Sequence, residues 1–128
     1  MTVKVIFVCL LLILLACFTA SAGRKTPDNR AEAIVFIDSA HLAQKKMVRE
    51  VNHQLYYSRV LQRRVNVTFI DINLKGELFH GPANYLKDDA GEWVEKYRPN
   101  DIPAMYCVRK GRMTYKKMAS ARELRSCL

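Results

Sequence analysis

Residues Ile102–Met118 read IPAMYCVRKGRMTYKKM, and this stretch predicts a β-hairpin. Ala104–Val108 is an apolar run typical of a strand, and Gly111 marks the turn in Arg109–Arg112. Met113–Met118 supplies the partner strand. Two strands joined by a short turn that contains glycine pair in the antiparallel sense. The last third of the chain is therefore expected to add a hairpin to a sheet.

A strand, a helix and a second strand are predicted ahead of the hairpin. Ala33–Ile37 is short, apolar and β-branched, which favours a buried strand. His41–Arg64 repeats apolar residues at helical spacing and has no glycine or proline, so it predicts a long helix with one buried face. Val65–Leu74 alternates in the manner of a strand. Such a βαβ unit has parallel strands and a right-handed crossover.

Three more segments complete the predicted order. Lys75–Pro82 is a loop because of its glycines and proline. Ala83–Tyr97 is predicted as a second helix that ends before Pro99. Ser120–Leu128 is predicted as a terminal helix, since its first serine and a glutamate three residues later have capping-box spacing. The predicted fold class is α/β, with the order β-α-β-α-β-β-α and a mixed central sheet flanked by helices.

The N-terminal residues are predicted to direct export. Met1–Ala22 has one basic residue, a short apolar run and an Ala-Ser-Ala ending, the pattern of a cleaved secretory signal peptide. An uncleaved membrane anchor is the first alternative, although its apolar run falls short of about 20 residues. Lipidation is the second, because Cys17 follows Leu14-Leu15-Ala16 as in a bacterial lipobox. We expect a signal peptide at 1–22, a flexible leader at 23–32 and one domain at 33–128.

The mature chain is thus expected to be exported, which means periplasmic in a bacterium and otherwise secreted, or lipid-anchored if Cys17 is modified. Cys107 and Cys127 remain after cleavage. Disulfides persist in exported proteins, but two cysteines alone leave both a bridge and two separate thiols open. His41, His53 and His80 lack the spacing of zinc ligands. No metal or other cofactor is predicted.

The sequence is basic, with a formal net charge of +9 that becomes +8 when Lys4 leaves with the signal peptide. His41–Arg64 has six basic residues and one acidic, and Cys107–Leu128 has seven and one, whereas Asp71–Asp101 has seven acidic and four basic. Such segments suit an acidic protein surface, anionic lipid or nucleic acid. Solubility explains them equally well. Export and the lack of a recognised motif argue against nucleic acid.

The element order and two segments resemble the thioredoxin fold. Tyr97–Ala104 has an aromatic residue, a short loop and Ile-Pro before an apolar strand, and Arg109–Arg112 supplies a lysine and glycine turn. The second segment is Ile34–Asp38, with Lys46-Met47 beginning the body of the helix. The resemblance implies a cis peptide bond at Pro103. A trans proline at a strand start is the alternative.

The resemblance also implies a departure from the family's chemistry, because Leu42-Ala43-Gln44-Lys45 stands where the family has Cys-x-x-Cys. Thiol exchange needs an attacking thiolate and a resolving thiol. Cys107 lies in an apolar strand, where burial makes a thiol inert. We therefore predict that the chain is not an enzyme and acts in binding or assembly. A thiol–disulfide oxidoreductase or isomerase that uses Cys107 and Cys127 is one alternative, and a basic secreted factor that binds anionic surfaces is another.

A narrower resemblance implies a partner. Val35–His41 and Ile102-Pro103-Ala104 are similar to segments of small exported proteins of integrating conjugative elements, and pilus-assembly proteins of F-type conjugation systems share the design. The resemblance implies a periplasmic part in assembling a type IV secretion apparatus. The expected partner is another envelope or secretion-system protein, without a small-molecule cofactor.

A binding groove is expected where the resemblance brings the start of the first helix against Pro103. Its candidate residues are Ser39, His41, Leu42, Asp101, Ile102 and Pro103. Capping of the helix by Asp38 and Ser39, together with ordinary packing, explains the same residues. Asp38, Ser39 and His41 are adjacent in sequence, whereas a hydrolytic triad is assembled from separate parts of a fold.

Overall fold

The computed structural model describes residues 28–128, and its centre is a five-stranded mixed sheet. The strands are β1 (Ala31–Ile37), β2 (Val65–Asp71), β3 (Asn84–Lys87), β4 (Ala104–Arg109) and β5 (Arg112–Lys117). Their spatial order is β3-β2-β1-β4-β5. β1, β2 and β3 run parallel, and β4 is antiparallel to both β1 and β5. The predicted α/β class with a mixed central sheet is confirmed.

Some predictions fall outside the described residues. The signal peptide, the lipobox cysteine Cys17 and residues 23–27 of the leader all precede Asp28. β1 begins at Ala31, two residues before the predicted start of the domain.

The helices are α1 (Leu42–Tyr57), α2 (Arg59–Arg64), α3 (Glu92–Tyr97) and a final 3-10 helix, η1 (Ala121–Cys127). The single helix predicted for His41–Arg64 is divided at Ser58, whose φ of −119° and ψ of 97° are extended. Its Oγ accepts the backbone N–H of Leu61 at 3.2 Å. A serine in this place satisfies a donor that the start of a helix leaves without a partner.

The larger core lies between α1 and one face of the sheet. Because α1 buries residues three and four apart, one apolar stripe faces the strands. These residues are Met47, Val48, Val51 and Leu55. They pack with Val35, Val67 and Phe69 of the sheet, and with Leu124 of η1.

A smaller core occupies the opposite face under α3. Phe36 and Tyr106 meet edge to face there, with ring centroids 5.8 Å apart. Trp93 and Tyr97 of α3 pack against the same cluster. Helices thus cover parts of both faces of the sheet.

The helix predicted for Ala83–Tyr97 is wrong over its first half. Asn84–Lys87 forms β3, which pairs in parallel with β2, and only Glu92–Tyr97 is helical. Tyr85 packs against the larger core and Leu86 against the smaller one. Such alternation between faces is the geometry of a strand. The predicted order therefore gains one strand at the edge of the sheet.

The C-terminal elements follow their predictions closely. β4 and β5 form the hairpin, with Gly111 at a φ of +74° in the turn. The Ile102–Pro103 peptide bond is cis, as the resemblance implied. The predicted capping box at Ser120 and Glu123 is present, although the helix that it begins is a 3-10 helix.

Candidate functional site

A disulfide joins Cys107 of β4 to Cys127 of η1, with the two Cα atoms 5.5 Å apart. This bridge answers the question that the sequence left open. Cys107 retains 7% of its accessible surface and Cys127 retains 1%. The bridge is therefore covered but not fully enclosed on the side of Cys107.

The sheet and the packing of η1 bring the two cysteines together. Cys107 lies opposite Ala33 of β1 and Thr114 of β5. Ala121 and Leu124 are buried in the larger core, which holds η1 against the sheet so that Cys127 reaches β4. The two cysteines are 20 residues apart in sequence, so packing of η1 on the sheet is what brings them together.

Backbone carbonyl oxygens lie near both sulfur atoms. The Sγ of Cys107 is 3.4 Å from the oxygen of Cys127, and the Sγ of Cys127 is 3.8 Å from the oxygen of Glu32. A carbonyl oxygen accepts a hydrogen bond from a thiol. Both cysteines therefore have an acceptor in place for their reduced form.

A cleft of about 390 Å³ opens beside the bridge. Both cysteines line it, together with Arg109, Lys110, Arg112, Thr114, Ser126 and Leu128. Among the described residues of the lining, three side chains are basic and none is acidic. Positive groups near a sulfur atom stabilise its thiolate. The cleft can therefore support chemistry in which a thiolate attacks or leaves.

The predicted groove residues lie at the end of the sheet where β1 finishes and β4 begins. Phe36 pairs with Ala104, so the segment after Ile37 adjoins the segment that contains Pro103. We call this region, formed by residues 38–42 and 101–103, the Pro103 edge. The register therefore places the two segments that contain the predicted residues at the same end of the sheet.

Only some of those residues have exposed side chains. Leu42 is 76% exposed. His41 is exposed, and its Nε2 lies 3.5 Å from Oδ2 of Asp38. Asp101 is exposed as well, while Ile102 packs against the smaller core.

The capping explanation fails for this helix. His41 occupies the N-cap of α1 and makes no side-chain capping bond. Asp38 instead accepts the backbone N–H of Ala40 at 3.0 Å. Ser39 is buried, and its Oγ accepts a hydrogen bond from Nδ2 of Asn73 at 3.1 Å. Ser39 therefore belongs to the interior and not to an open groove.

Sequence reasoning missed Asp71, a fully buried carboxylate at the end of β2. Its Oδ1 accepts the backbone N–H groups of Ser39 and Asn73 at 3.1 and 3.0 Å, and its Oδ2 accepts the hydroxyl of Tyr85. Burial and the neighbouring Asp71 raise the pKa of Tyr85 well above its ordinary value. The available signal was an aspartate inside the predicted strand Val65–Leu74.

Residues 28–128 contain no cluster of three or more His, Cys, Asp or Glu side chains that could hold a metal ion. Over the same residues, no helix has both the length and the apolar character needed to cross a bilayer.

Comparison with known proteins finds similarity in structure and not in sequence. No protein-family profile matches the chain, and no curated protein sequence matches it either. StoA from Bacillus subtilis is similar, at 18% identity and a TM-score of 0.56, over 77% of this chain and 82% of StoA. The exposed lipoprotein thioredoxin Etrx1 from Streptococcus pneumoniae has 15% identity and a TM-score of 0.55, over 77% of this chain and 86% of its own.

Deadhead, a germline-specific thioredoxin from Drosophila melanogaster, has 18% identity and a TM-score of 0.53, over 77% of this chain and 78% of its own. Together these structures show that the fold of this chain is thioredoxin-like, so the fold-level resemblance seen in the sequence is confirmed.

The prediction that the chain is not an enzyme does not stand. Two of the similar structures are named as thioredoxins, and this chain has a bonded cysteine pair of its own. The prediction rested mainly on the absence of cysteines from Leu42-Ala43-Gln44-Lys45. The bonded pair lies near the C-terminal end of the sequence instead. Exchange requires two thiols that can meet, and Cys107 and Cys127 satisfy that requirement.

Proposed function

We propose that this protein carries out thiol–disulfide exchange through the Cys107–Cys127 bridge. The observation that carries the proposal is that both cysteines are among the residues that line the basic cleft. The thioredoxin-like fold, shared with proteins named as thioredoxins, supports the same reaction class.

The reaction proceeds in two steps that conserve atoms and electrons. A substrate thiolate attacks Sγ of Cys107, the bridge breaks, and Cys127 leaves as a thiolate that takes a proton from water. A second substrate thiolate then attacks the substrate sulfur of the mixed disulfide and releases Cys107. The substrate becomes a disulfide and the protein a dithiol, and a low-molecular-weight disulfide returns the protein to its oxidised state.

The surrounding residues assist this sequence in two ways. Arg109, Lys110 and Arg112 place positive charge in the cleft, which stabilises a thiolate at each step. The carbonyl oxygens of Cys127 and Glu32 lie 3.4 and 3.8 Å from the two bonded sulfur atoms, where they can accept hydrogen bonds from the thiols that reduction produces. The reduced form can therefore keep the packing of η1.

The test is reversible reduction of the folded protein. We expect dithiothreitol to open the bridge while far-ultraviolet circular dichroism is unchanged, and a small disulfide to close it again, as counted by alkylation and mass spectrometry. In an insulin-reduction assay, Cys107→Ser should abolish turnover. The double variant Cys107→Ala/Cys127→Ala is the folding control. Thiols that appear only when the protein unfolds would show that the bridge is structural and would overturn the proposal.

A second candidate function is favoured by the exposure of Leu42, a large apolar side chain in the Pro103 edge. We propose that the Pro103 edge binds another envelope or secretion-system protein during assembly of a type IV secretion apparatus. Its test is a photoreactive residue at Leu42, with one at Val60, which is also exposed, as control. Crosslinking of a secretion-system protein from position 42 alone supports the role, and equal crosslinking from both positions contradicts it.

Export is part of this second proposal. We propose that residues 1–22 are a signal peptide and that the mature protein begins at Gly23. The name of Etrx1, an exposed lipoprotein, supports export among proteins of similar fold. The intact mass of the protein from its source cell tests the assignment: a chain that starts at Cys17 and carries lipid, or one that retains Met1, contradicts it.

A further inference from the structure

We propose that the cleft beside the Cys107–Cys127 bridge selects thiols that carry carboxylates, in preference to neutral and cationic thiols. This inference rests on the proposed exchange function and names the substrate class of that site. It follows from the charges that line the cleft and from the placement of the acidic residues closest to it in the sequence.

The basic residues belong to the hairpin that contains Cys107. Arg109 ends β4, Lys110 lies in the turn, and Arg112 begins β5. All three line the cleft together with Thr114, whose hydroxyl can donate a hydrogen bond to a carboxylate. A guanidinium group adds two parallel donors that match the geometry of a carboxylate. The cleft thus offers several donors and positive charges to one small anion.

Two acidic residues close to the bridge in sequence or strand register are hydrogen-bonded elsewhere. Glu123, the one acidic residue in Cys107–Leu128, accepts both the backbone N–H and the hydroxyl of Ser120, at 2.7 and 2.9 Å. Glu32 neighbours Ala33, which pairs with Cys107, but its carboxylate accepts hydrogen bonds from Asn66 on the opposite face of the sheet. Neither carboxylate forms an ion pair with Arg109, Lys110 or Arg112.

This charge arrangement acts on the approach of the substrate. A cleft lined by one sign of charge raises the local concentration of oppositely charged solutes and speeds association by about 10-fold or more. The effect weakens with salt, because the Debye length falls from about 10 Å at 0.1 M to about 3 Å at 1 M ionic strength. A carboxylate-bearing thiol should therefore react fastest at low salt.

The test compares three thiols on the folded, oxidised protein: mercaptosuccinate, 2-mercaptoethanol and 2-aminoethanethiol. Each rate of bridge opening is divided by the rate of the same thiol with 2-hydroxyethyl disulfide, which removes differences in intrinsic nucleophilicity. We expect the normalised rate of bridge opening to be about 10-fold higher for mercaptosuccinate than for 2-aminoethanethiol at low salt. The ratio of these two rates should approach unity at about 1 M salt.

Variants locate the effect. Arg112→Gln should lower the ratio of the mercaptosuccinate rate to the 2-aminoethanethiol rate by about fivefold. The matched control Arg49→Gln removes the same charge from a different cleft on α1 and should leave the preference unchanged. A cysteine peptide flanked by glutamates, compared with mercaptosuccinate, shows whether an acidic peptide or a small thiol is the better substrate.

The outcomes separate this inference from the proposed function. Equal normalised rates for the three thiols would overturn the substrate preference and leave the exchange function standing. A bridge that no thiol opens in the folded protein would overturn both. A preference that Arg112→Gln and Arg49→Gln reduce equally would overturn the assignment to the cleft.

Discussion

The hydroxyl of Tyr85 donates a hydrogen bond to Oδ2 of Asp71, a carboxylate that is completely buried. The other oxygen of Asp71 accepts the N–H groups of Ser39 and Asn73. Through this one carboxylate, β2 is bonded to β3 and to the segment that follows β1. The buried side-chain polar atoms of the described residues all have hydrogen-bond partners. The network holds Ser39, which belongs to the Pro103 edge, through Asp71 and Asn73.

The Tyr85–Asp71 bond should make the protein sensitive to alkaline pH. Burial first, and then the hydrogen bond and charge of Asp71, raise the pKa of Tyr85 above its ordinary value of 10.0. The folded state therefore holds this proton more tightly than the unfolded chain does. This contribution to stability is complete below about pH 10 and is lost as the pH rises further. We expect the free energy of unfolding of Tyr85→Phe to fall less steeply at alkaline pH than that of the wild type. Urea unfolding at a series of pH values measures this difference.

Tyr106 provides the comparison for that experiment. Burial, and to a lesser degree Tyr115, raises the pKa of Tyr106 in the same direction. Tyr106→Phe should therefore remove the part of the alkaline loss of stability that Tyr106 causes.

At neutral pH, Tyr85→Phe should lower the free energy of unfolding by about 1–3 kcal/mol, because Asp71 loses one hydrogen-bond donor. Parallel pH profiles for Tyr85→Phe and the wild type would contradict the role given to this bond.

Two leucines on α1 give a matched test of the core. Leu55 is 2% exposed and packs in the larger core, whereas Leu42 is 76% exposed on the same helix. We expect Leu55→Ala to lower the free energy of unfolding by about 2–5 kcal/mol. Leu42→Ala should change it by no more than about 0.5 kcal/mol. Chemical denaturation measures both, and a large loss for Leu42→Ala would show that this side chain packs against the fold.

The elements that the sequence predicted well depend on local information. The hairpin of β4 and β5 has a glycine turn between two strands, and the capping box of η1 lies within four consecutive residues. The strands β1 and β2 were recognised because their side chains alternate or are apolar throughout. Each of these signals is complete within its own segment.

The elements that were missed depend on distant partners. β3 is four residues long and is stabilised by its pairing with β2, so the residues around Tyr85 resembled a helix in isolation. The break at Ser58 depends on a capping bond that competes with a continuous helix. Burial of Asp71 needs donors from two other segments. The bridge could not be decided either, because η1 must first pack on the sheet before Cys127 reaches Cys107.

The loop before β3 is attached to α1 by a close approach of Gly81 to Asn52. A Cβ atom at position 81 would lie 2.5 Å from both Cγ and Oδ1 of Asn52. That Oδ1 also accepts the backbone N–H of Ala83 at 2.9 Å. Gly81→Ala should therefore displace the amide and break this bond, at a cost of about 1–3 kcal/mol.

A double-mutant cycle isolates this contact. In an Asn52→Ala background there is no amide to displace, so Gly81→Ala should cost less than it does in the wild type. Thermal or urea unfolding of the four proteins gives the coupling energy. Costs that add without coupling would mean that the backbone, and not the Asn52 side chain, requires glycine at this position.

The capping box of η1 should control access to the bridge, because η1 carries Cys127. The Oγ of Ser120 accepts the backbone N–H of Arg122 at 3.3 Å, and Glu123 accepts two hydrogen bonds from Ser120. Burial raises the pKa of Glu123, but these bonds outweigh it, so the pKa lies below its ordinary value of 4.5. The ionised Glu123 therefore stabilises the folded state above about pH 4.5. This stabilisation is lost as the pH falls through the lowered pKa of Glu123.

Ser120→Ala should therefore loosen η1 and speed the reduction of the bridge at neutral pH. Loss of a serine cap costs about 0.5–2 kcal/mol, and about 1–2 kcal/mol corresponds to a factor of about 5–30 in an opening equilibrium. Ser58→Ala is the matched control, since Ser58 caps α2 with one hydrogen bond to Leu61, on a helix that does not carry a cysteine. The measurement is the rate at which a fixed thiol releases free cysteines. If Ser120→Ala and Ser58→Ala accelerate that release equally, general destabilisation governs access and η1 has no special part in it.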